Sequence, residues 1–363
     1  MAIVVGILIV ATMLVFNQIC KKRMQRTQST RVKKVSFHMA HNRNAKVALV
    51  TTTKNAHQLP TWVEYHINRG FKRIYIFFDL SQRQDPSWME LNDWLKLNPH
   101  RAKYVHCIQV TPEWTRVNQR SIIASKHFKH YDNEVMSRQQ VNAQTALVWL
   151  KTIDASFDID YLLHIDTDEL WYPIGGSTVT KLLGVGEYFA TLSETIDTVS
   201  FRNWEVVPTQ LESTNVFKDL DVFRKDRQHY RAYCGVKSAI RIRLDKKEQE
   251  IHGVHYWWSA GSKPVEVYDA VILHYVSPTF EQWFLKYKLL GSFPDTWFGG
   301  DVPIGIVYHC KSRDQVQRFL RKKDVNFGMT QLREWYEETS VRSTESILKD
   351  PKWNAKYEIV KVM

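Results

Sequence analysis

Residues 161–173, YLLHIDTDELWYP, set an apolar run of strand character, Tyr161 to Ile165, directly before three carboxylates, Asp166, Asp168 and Glu169. Burying a carboxylate is costly unless it is paired, hydrogen-bonded or bound to a cation. The placement therefore points to a cation, a catalytic role or an exposed turn.

The flanking sequence favours the first two. KVALVTTT, 46–53, reads as a buried strand, and HQLPTWVEYHINRG follows as a helix with Leu59, Trp62, Val63, His66 and Ile67 on one face. Pro60 lies near its start and Gly70 stops it. KRIYIFFD, 72–79, is a second strand ending on an acid. A strand–helix–strand unit implies parallel pairing and a right-handed crossover. VHCIQV, 105–110, supplies a third strand, and the helical pattern at 141–152 feeds into DYLLHID. The first half is thus α/β with a largely parallel sheet, in which ligands sit beyond the carboxyl ends of the strands. Asp79 and Asp166 both lie at such ends.

Past residue 175 the segments TVSFRNWEVV, SAIRIRL, EIHGVHYWW and DAVILHYV are β-rich with short links, expected as antiparallel additions to the same sheet. TFEQWFLKYKLLG, 279–291, returns to helix, and the last fifty residues read as charged and helical. The chain of 363 residues, 44% hydrophobic and 13% aromatic, supports one large domain or two smaller ones with a sizeable core.

The net charge of +12 is concentrated at one end. Residues 1–46 carry nine basic side chains and no acidic one, and subtracting nine from +12 leaves +3 on residues 47–363. That distribution, with no nucleic-acid-binding motif, argues against nucleic acid as a partner and for lipid headgroups. Beside it lies AIVVGILIVATMLVF, 2–16, which with the tail to Cys20 reaches the length of a membrane span. It lacks a basic leading region and a small-residue cleavage site, so residues 1–20 are read as an uncleaved single-pass transmembrane helix and 21–45 as a basic stem. Three features lean toward a cytosolic body: the charge bias, the absence of any Asn-x-Ser/Thr acceptor, and four cysteines (Cys20, Cys107, Cys234, Cys310) without a disulfide framework.

Asp166-x-Asp168 offers hard oxygen ligands suited to Mn²⁺ or Mg²⁺, with substrate phosphates completing the shell. Glu169 reads as the residue that fixes the turn. His274, at the end of ILHYV, is a candidate metal or phosphate ligand, ahead of His255, His252 and His309. Lys237 and Arg241 could meet a diphosphate through charge-assisted bonds. For Lys286 and Lys288 a solvated helix face is an equal reading. Trp204, Trp257, Trp258, Trp283 and Trp297 suit sugar stacking or core packing. There is no phosphate-binding glycine loop, Gly-x-Ser-x-Gly elbow, Cys-x-x-Cys pair or His-Glu-x-x-His helix.

Taken together, ALVTTTKNAHQLPTWVEYHINRGFKRIYIFFD, YLLHIDTDELWYP, VSFRNW, GVKSAIRIR with IHGVHYW, and AVILHYVSPTFEQWFLKY resemble glycosyltransferase family 92 over about residues 46–290. The resemblance implies a GT-A (nucleotide-diphospho-sugar transferase) fold, α/β with a central mostly parallel sheet, spanning 46–310 and followed by a helical extension at 311–363. By the same resemblance Thr51, Thr53 and Asp79 approach the nucleotide, Lys237 the diphosphate, and Asp166, Asp168 and His274 the metal. One departure stands out: Asn55-Ala56-His57 replaces the Asn-Glu that follows the first strand in the family.

The implied reaction is metal-dependent transfer of a hexose, galactose among the candidates, from a UDP-sugar donor to a glycan or glycoprotein hydroxyl, with inversion. Inversion by direct displacement needs a base, for which Glu205 and Asp295 are the candidates. The family also implies a Golgi or ER membrane enzyme with its catalytic domain in the lumen, against the charge bias. Two rivals remain: a membrane-anchored, catalytically degenerate glycan-binding protein, and a metal-dependent phosphoesterase or nucleotidyltransferase, which would want a second acidic cluster.

Overall fold

The computed structural model describes residues 44–362, apart from 80–84, 116–129, 133, 175–182, 232–234, 247, 298–299, 301, 305 and 322–327. The expected anchor at 1–20 and the stem, up to residue 43, lie outside the described residues. Among the described residues no helix is long and apolar enough to cross a membrane.

The first half runs β1 (Val47–Thr53), α1 (Leu59–Asn68), β2 (Arg73–Phe78), α2 (Pro86–Leu97), β3 (Val105–Gln109), α3 (Val135–Lys151), β4 (Tyr161–His164), β5 (Glu169–Pro173) and α4 (Val185–Ala190). Then come β6 (Thr198–Val206), β7 (Val222–Arg224), β8 (Val236–Arg241), β9 (Gln249–His252), β10 (Tyr256–Ser259), β11 (Val265–His274) and α5 (Phe280–Leu290). The chain closes with β12 (Thr296–Trp297), β13 (Val302–Pro303), α6 (Val307–Leu320), α7 (Met329–Ser340) and β14 (Tyr357–Ile359).

The large sheet has the order β14-β7-β6-β8-β4-β1-β2-β3, with β11 pairing both β6 and β5. Strands β4, β1, β2 and β3 are parallel, as the strand–helix–strand reading requires. The remainder corrects the expectation of a mostly parallel sheet. β8 is antiparallel to β4 and β6, β7 to β6, β14 to β7, and β5 to β11, so the sheet is mixed. Of these pairs only β6 and β7 follow each other in the chain; the others join strands far apart in sequence, so packing rather than a short link sets their direction, and β11 runs parallel to β6. β9 and β10 also depart from expectation, since they pair with each other as a separate hairpin.

Alternate residues of β1 enter two cores. Val47 and Leu49 join Trp62 and Val63 of α1, while Ala48 and Val50 join Ala143, Ala146 and Leu147 of α3. Both faces of the parallel portion are therefore covered, which explains its continuous apolar runs. The expected boundary at 310 falls inside α6, and β14 completes the edge of the large sheet, so the carboxyl-terminal segment is not purely helical. Phe280, Trp283 and Tyr287 of α5 pack against Val316 of α6 and Leu332 and Tyr336 of α7. That cluster ties the last part of the chain to the helix that follows β11.

α1 also fixes β5. Trp62 Nε1 donates to the Glu169 carbonyl at 2.7 Å, and the Tyr65 hydroxyl to the Trp171 carbonyl at 2.8 Å. Beneath Trp62 lies His66, wholly buried, its Nδ1 2.8 Å from the Trp62 carbonyl. Burial pushes its imidazole down to about 3, so the ring is neutral with Nδ1 as donor. Below the ordinary pKa of 6.5 the unfolded chain takes a proton that the folded chain refuses, so stability is lost as pH falls through that window. Urea unfolding of wild type and His66→Gln between pH 6.5 and 5 checks this. The wild type is expected to lose about 1.4 kcal/mol more per pH unit than the variant, and parallel curves would contradict the assignment.

Candidate functional site

The site is built on the turn that links β4 to β5. Glu169 N donates to the Asp166 carbonyl at 3.1 Å, and the Asp166 N–H donates back to Glu169 Oε2 at 2.9 Å. The Glu169 side chain is fully buried, and its other oxygen accepts from Asn203 Nδ2 at 3.2 Å. Glu169 therefore shapes the turn, leaving Asp166 and Asp168 partly exposed on its rim.

Two lysines neutralise this cluster from opposite sides. β8 runs antiparallel to β4 in the register Leu163↔Ala239, which brings Lys237 beside the turn two residues further on. Its side chain is 0% exposed, with Nζ 2.6 Å from Asp166 Oδ2 and 3.2 Å from Glu169 Oε2. From α5, Lys286 places Nζ 3.1 Å from Asp168 Oδ2. Burial alone would depress both ammonium groups, but the adjacent carboxylates raise them. Burial would likewise raise Asp168, yet Lys286 and His274 hold it well below the usual carboxylate range.

His274 ends β11, directly opposite Glu169 on β5. Its Nε2 is 3.6 Å from Asp168 Oδ2 and its Nδ1 4.0 Å from Glu169 Oε1. Burial opposes its protonation, but Asp168 and Glu169 prevail and raise its pKa. The Tyr275 N–H, next in the chain, donates to the Asp168 carbonyl at 2.8 Å and locks β11 to the turn.

α3 covers the other side. Gln139 Nε2 donates to Asp166 Oδ1 at 2.9 Å, so both Asp166 oxygens have donors. Arg138, one residue earlier, grips Asp79 through Nε at 2.7 and 2.9 Å. Thr53 Oγ1 lies 3.5 Å from Thr167 Oγ1 in the turn, whereas Thr51 is wholly buried inside β1.

The structure thus gathers Asp166, Asp168, Lys237 and His274, with Thr53 alongside and Asp79 connected through consecutive residues of α3. Glu205 stands opposite His274 in the β6–β11 register, but its carboxylate and that of Asp295 are engaged by arginines. Glu205 is buried, its Oε1 2.8 Å from Arg224 Nη1, and both its oxygens accept from the Arg231 N–H at 3.1 Å. Asp295 is 78% exposed and pairs with Arg313 at 2.8 Å. The sequence reading missed Gln139, Arg138 and Asn203, and left Lys286 undecided. A helix start at 135 rather than 141 would have placed Arg138 and Gln139 over the strand ends. Among the described residues no three His, Cys, Asp or Glu side chains are grouped as a metal centre.

A family profile described as Glycosyltransferase family 92 matches residues 48–296. Among curated proteins, Glycosyltransferase-like At3g57200 of Arabidopsis thaliana is 24% identical over 262 residues, 64% of this chain and 47% of its own length. Glycosyltransferase-like At2g41451 of the same plant is 23% identical over 256 residues, 64% of this chain and 54% of its own. The chain spans about half the length of these curated relatives.

Removing Lys237 strands the buried Glu169 carboxylate beside the partly exposed Asp166. Lys237→Met is expected to cost about 3–5 kcal/mol of folding free energy, read by urea unfolding. The double variant Lys237→Met, Glu169→Gln should recover part of that loss. A cost below about 1 kcal/mol, the level of an exposed pair, would show that Lys237 does not compensate the turn.

Proposed function

The chain belongs to glycosyltransferase family 92, and from that premise we propose that it transfers a hexose, galactose among the candidates, from a UDP-sugar to a glycan or glycoprotein hydroxyl with inversion. The observation that carries the reading is the charge cluster of Asp166, Asp168, Glu169, Lys237, Lys286 and His274 where β4, β5, β8, β11 and α5 meet. Anionic ligands of α/β sheets bind at such strand ends.

The donor set suits a divalent cation, Mn²⁺ or Mg²⁺, through Asp168 and His274: one carboxylate and one imidazole, with diphosphate and water for the remaining positions. Asp166 is the poorer ligand, because Gln139 and Lys237 occupy both of its oxygens. When bound, the cation would stabilise negative charge on the departing diphosphate.

The side chains divide the remaining work. Lys237 is enclosed by two carboxylates and serves to keep the turn in shape. Lys286 is partly exposed and holds only Asp168, so its ammonium can turn to a diphosphate oxygen, a charge-assisted bond stronger than a neutral one. On the nucleotide side, Thr53 and the Arg138–Asp79 pair border the turn, and Asp79 meets ribose or base with its carboxylate already oriented by Arg138. Inversion requires a carboxylate to take the acceptor's proton. Of the two candidates, Glu205 is paired with Arg224 and the Arg231 backbone, and Asp295, 78% exposed, is paired with Arg313, so neither is singled out as the base. The apolar run at 2–16 supports a single-pass anchor, and the family supports a Golgi lumenal setting for the domain.

Turnover of UDP-sugars by the full-length chain in the presence of Mn²⁺ tests the reading, with the anomeric configuration of the first-formed product followed by NMR. Asp168→Asn is expected to lower the rate by about 100-fold or more, the scale of one electrostatic transition-state contact, with the melting temperature retained. Activity within a few-fold of wild type would remove Asp168 from the site. If no UDP-sugar is turned over, the glycan-binding alternative takes its place.

A further inference from the structure

Next to Lys286 in α5 stands Tyr287, wholly buried, its ring packed near Trp283 in the aromatic cluster shared with α6 and α7. The Tyr287 hydroxyl reaches His309 in the first turn of α6, 2.5 Å from Nδ1. His309 is half-buried and lies beyond residues 48–296, the part of the chain that the family profile matches.

The bonding around Tyr287 decides which imidazole nitrogen carries the proton. Burial holds the phenol well above its ordinary pKa of 10, so it stays protonated. The buried Ser277 hydroxyl is within reach of the phenol oxygen. An oxygen that receives one hydroxyl passes its own proton onward, and Nδ1 of His309 is the acceptor at hand. Nε2 is then the N–H of a neutral ring. Burial is the main cause of that neutrality; Lys286 and then His274 add to it against the weaker pull of Asp168, and together they hold the pKa down to about 3.

Lys286, His274 and Asp168 are also the three side chains assigned above to metal and diphosphate, so the ring stands on their side of the cluster. The corner is pinned from a second direction. Ser277 is three residues past His274, and its carbonyl accepts from the Tyr336 hydroxyl of α7 at 2.8 Å. α5, α6 and the segment after β11 thus converge on Tyr287, which fixes His309 beside Lys286.

We propose that His309 contacts the substrate, its Nε2–H donating to a diphosphate oxygen of the nucleotide-sugar donor alongside the Lys286 ammonium. The inference rests on the UDP-sugar reading given above. A neutral N–H suits this place better than a second cation would. It adds no repulsion against Lys286 and no charge to desolvate, yet a hydrogen bond to a charged acceptor is stronger than one between neutral groups. Because Tyr287 holds the tautomer in advance, the donor needs no rearrangement when phosphate arrives.

Calorimetric titration of UDP with Mn²⁺ into the full-length chain, for wild type, His309→Asn and His309→Gln, tests the assignment. The asparagine oxygen can still accept from Tyr287 but puts no N–H at the Nε2 position, whereas the longer glutamine amide does. His309→Asn is expected to weaken UDP about tenfold, the worth of one hydrogen bond to a charged group. His309→Gln should recover most of that loss, with both variants melting at the wild-type temperature. Wild-type affinity in His309→Asn would overturn the inference and leave the UDP-sugar reading standing. Equal losses in both variants with a lowered melting temperature would do the same, since they mark a packing role. If the wild type binds no UDP, the UDP-sugar reading falls and this inference falls with it.

Discussion

The Lys237 ammonium, sealed from solvent between Asp166 and Glu169, is the interaction on which the rest of the site depends. An isolated ion in such a place is costly, and removing one member of a buried pair leaves an uncompensated charge. The arrangement therefore holds only if β8 lies beside β4, if the turn after β4 is closed by Glu169, and if β5 pairs with β11. Each condition is met by an independent set of bonds: the β4–β8 ladder, the reciprocal Asp166–Glu169 contacts, and the Leu273↔Leu170 and His274↔Glu169 register.

Around that core the outer charges are arranged for exchange. Three carboxylates meet two ammonium groups and an imidazole whose protonation Asp168 and Glu169 favour. The inner ion, Lys237, has no exposed atoms to offer, whereas Lys286 and Asp168 are about one-third exposed. On the proposed function, phosphate oxygens would meet the Lys286 ammonium, with reorganisation confined to that one flexible side chain. α5 delivers that lysine, and α5 is held by the aromatic cluster with α6 and α7. The carboxyl-terminal segment is thus coupled to the site although it contributes none of its carboxylates.

Much of this was legible in the sequence because local pattern and global fold agree in the first half. Short continuous apolar runs separated by an amphipathic helix leave little choice but β1-α1-β2, and the acids at strand ends follow from it. The second half was less legible. β6, β8 and β11 read as strands added antiparallel to the same sheet, but their partners are fixed by long-range packing, so neither the strand order, the parallel β6–β11 pair nor the separate β9–β10 hairpin could be read off. β5, ELWYP, was given no element in the sequence reading. Glu205 illustrates the limit of reading residue types alone: a carboxylate on an apolar strand looks catalytic until Arg224 is found beside it. The apolar strand ahead of Asp166 and Asp168 marked the acidic turn, while its pairing with Lys237 and Lys286 emerged only from the three-dimensional contacts.

Calorimetric titration of UDP into the full-length chain, with and without Mn²⁺, for wild type and Lys286→Met, tests the central claim most directly. The account predicts Mn²⁺-supported UDP binding in the wild type that weakens by about tenfold or more in the variant, the worth of a lost charge-assisted bond, at an unchanged melting temperature. Equal affinity in wild type and variant, or no UDP binding in either condition, would contradict it.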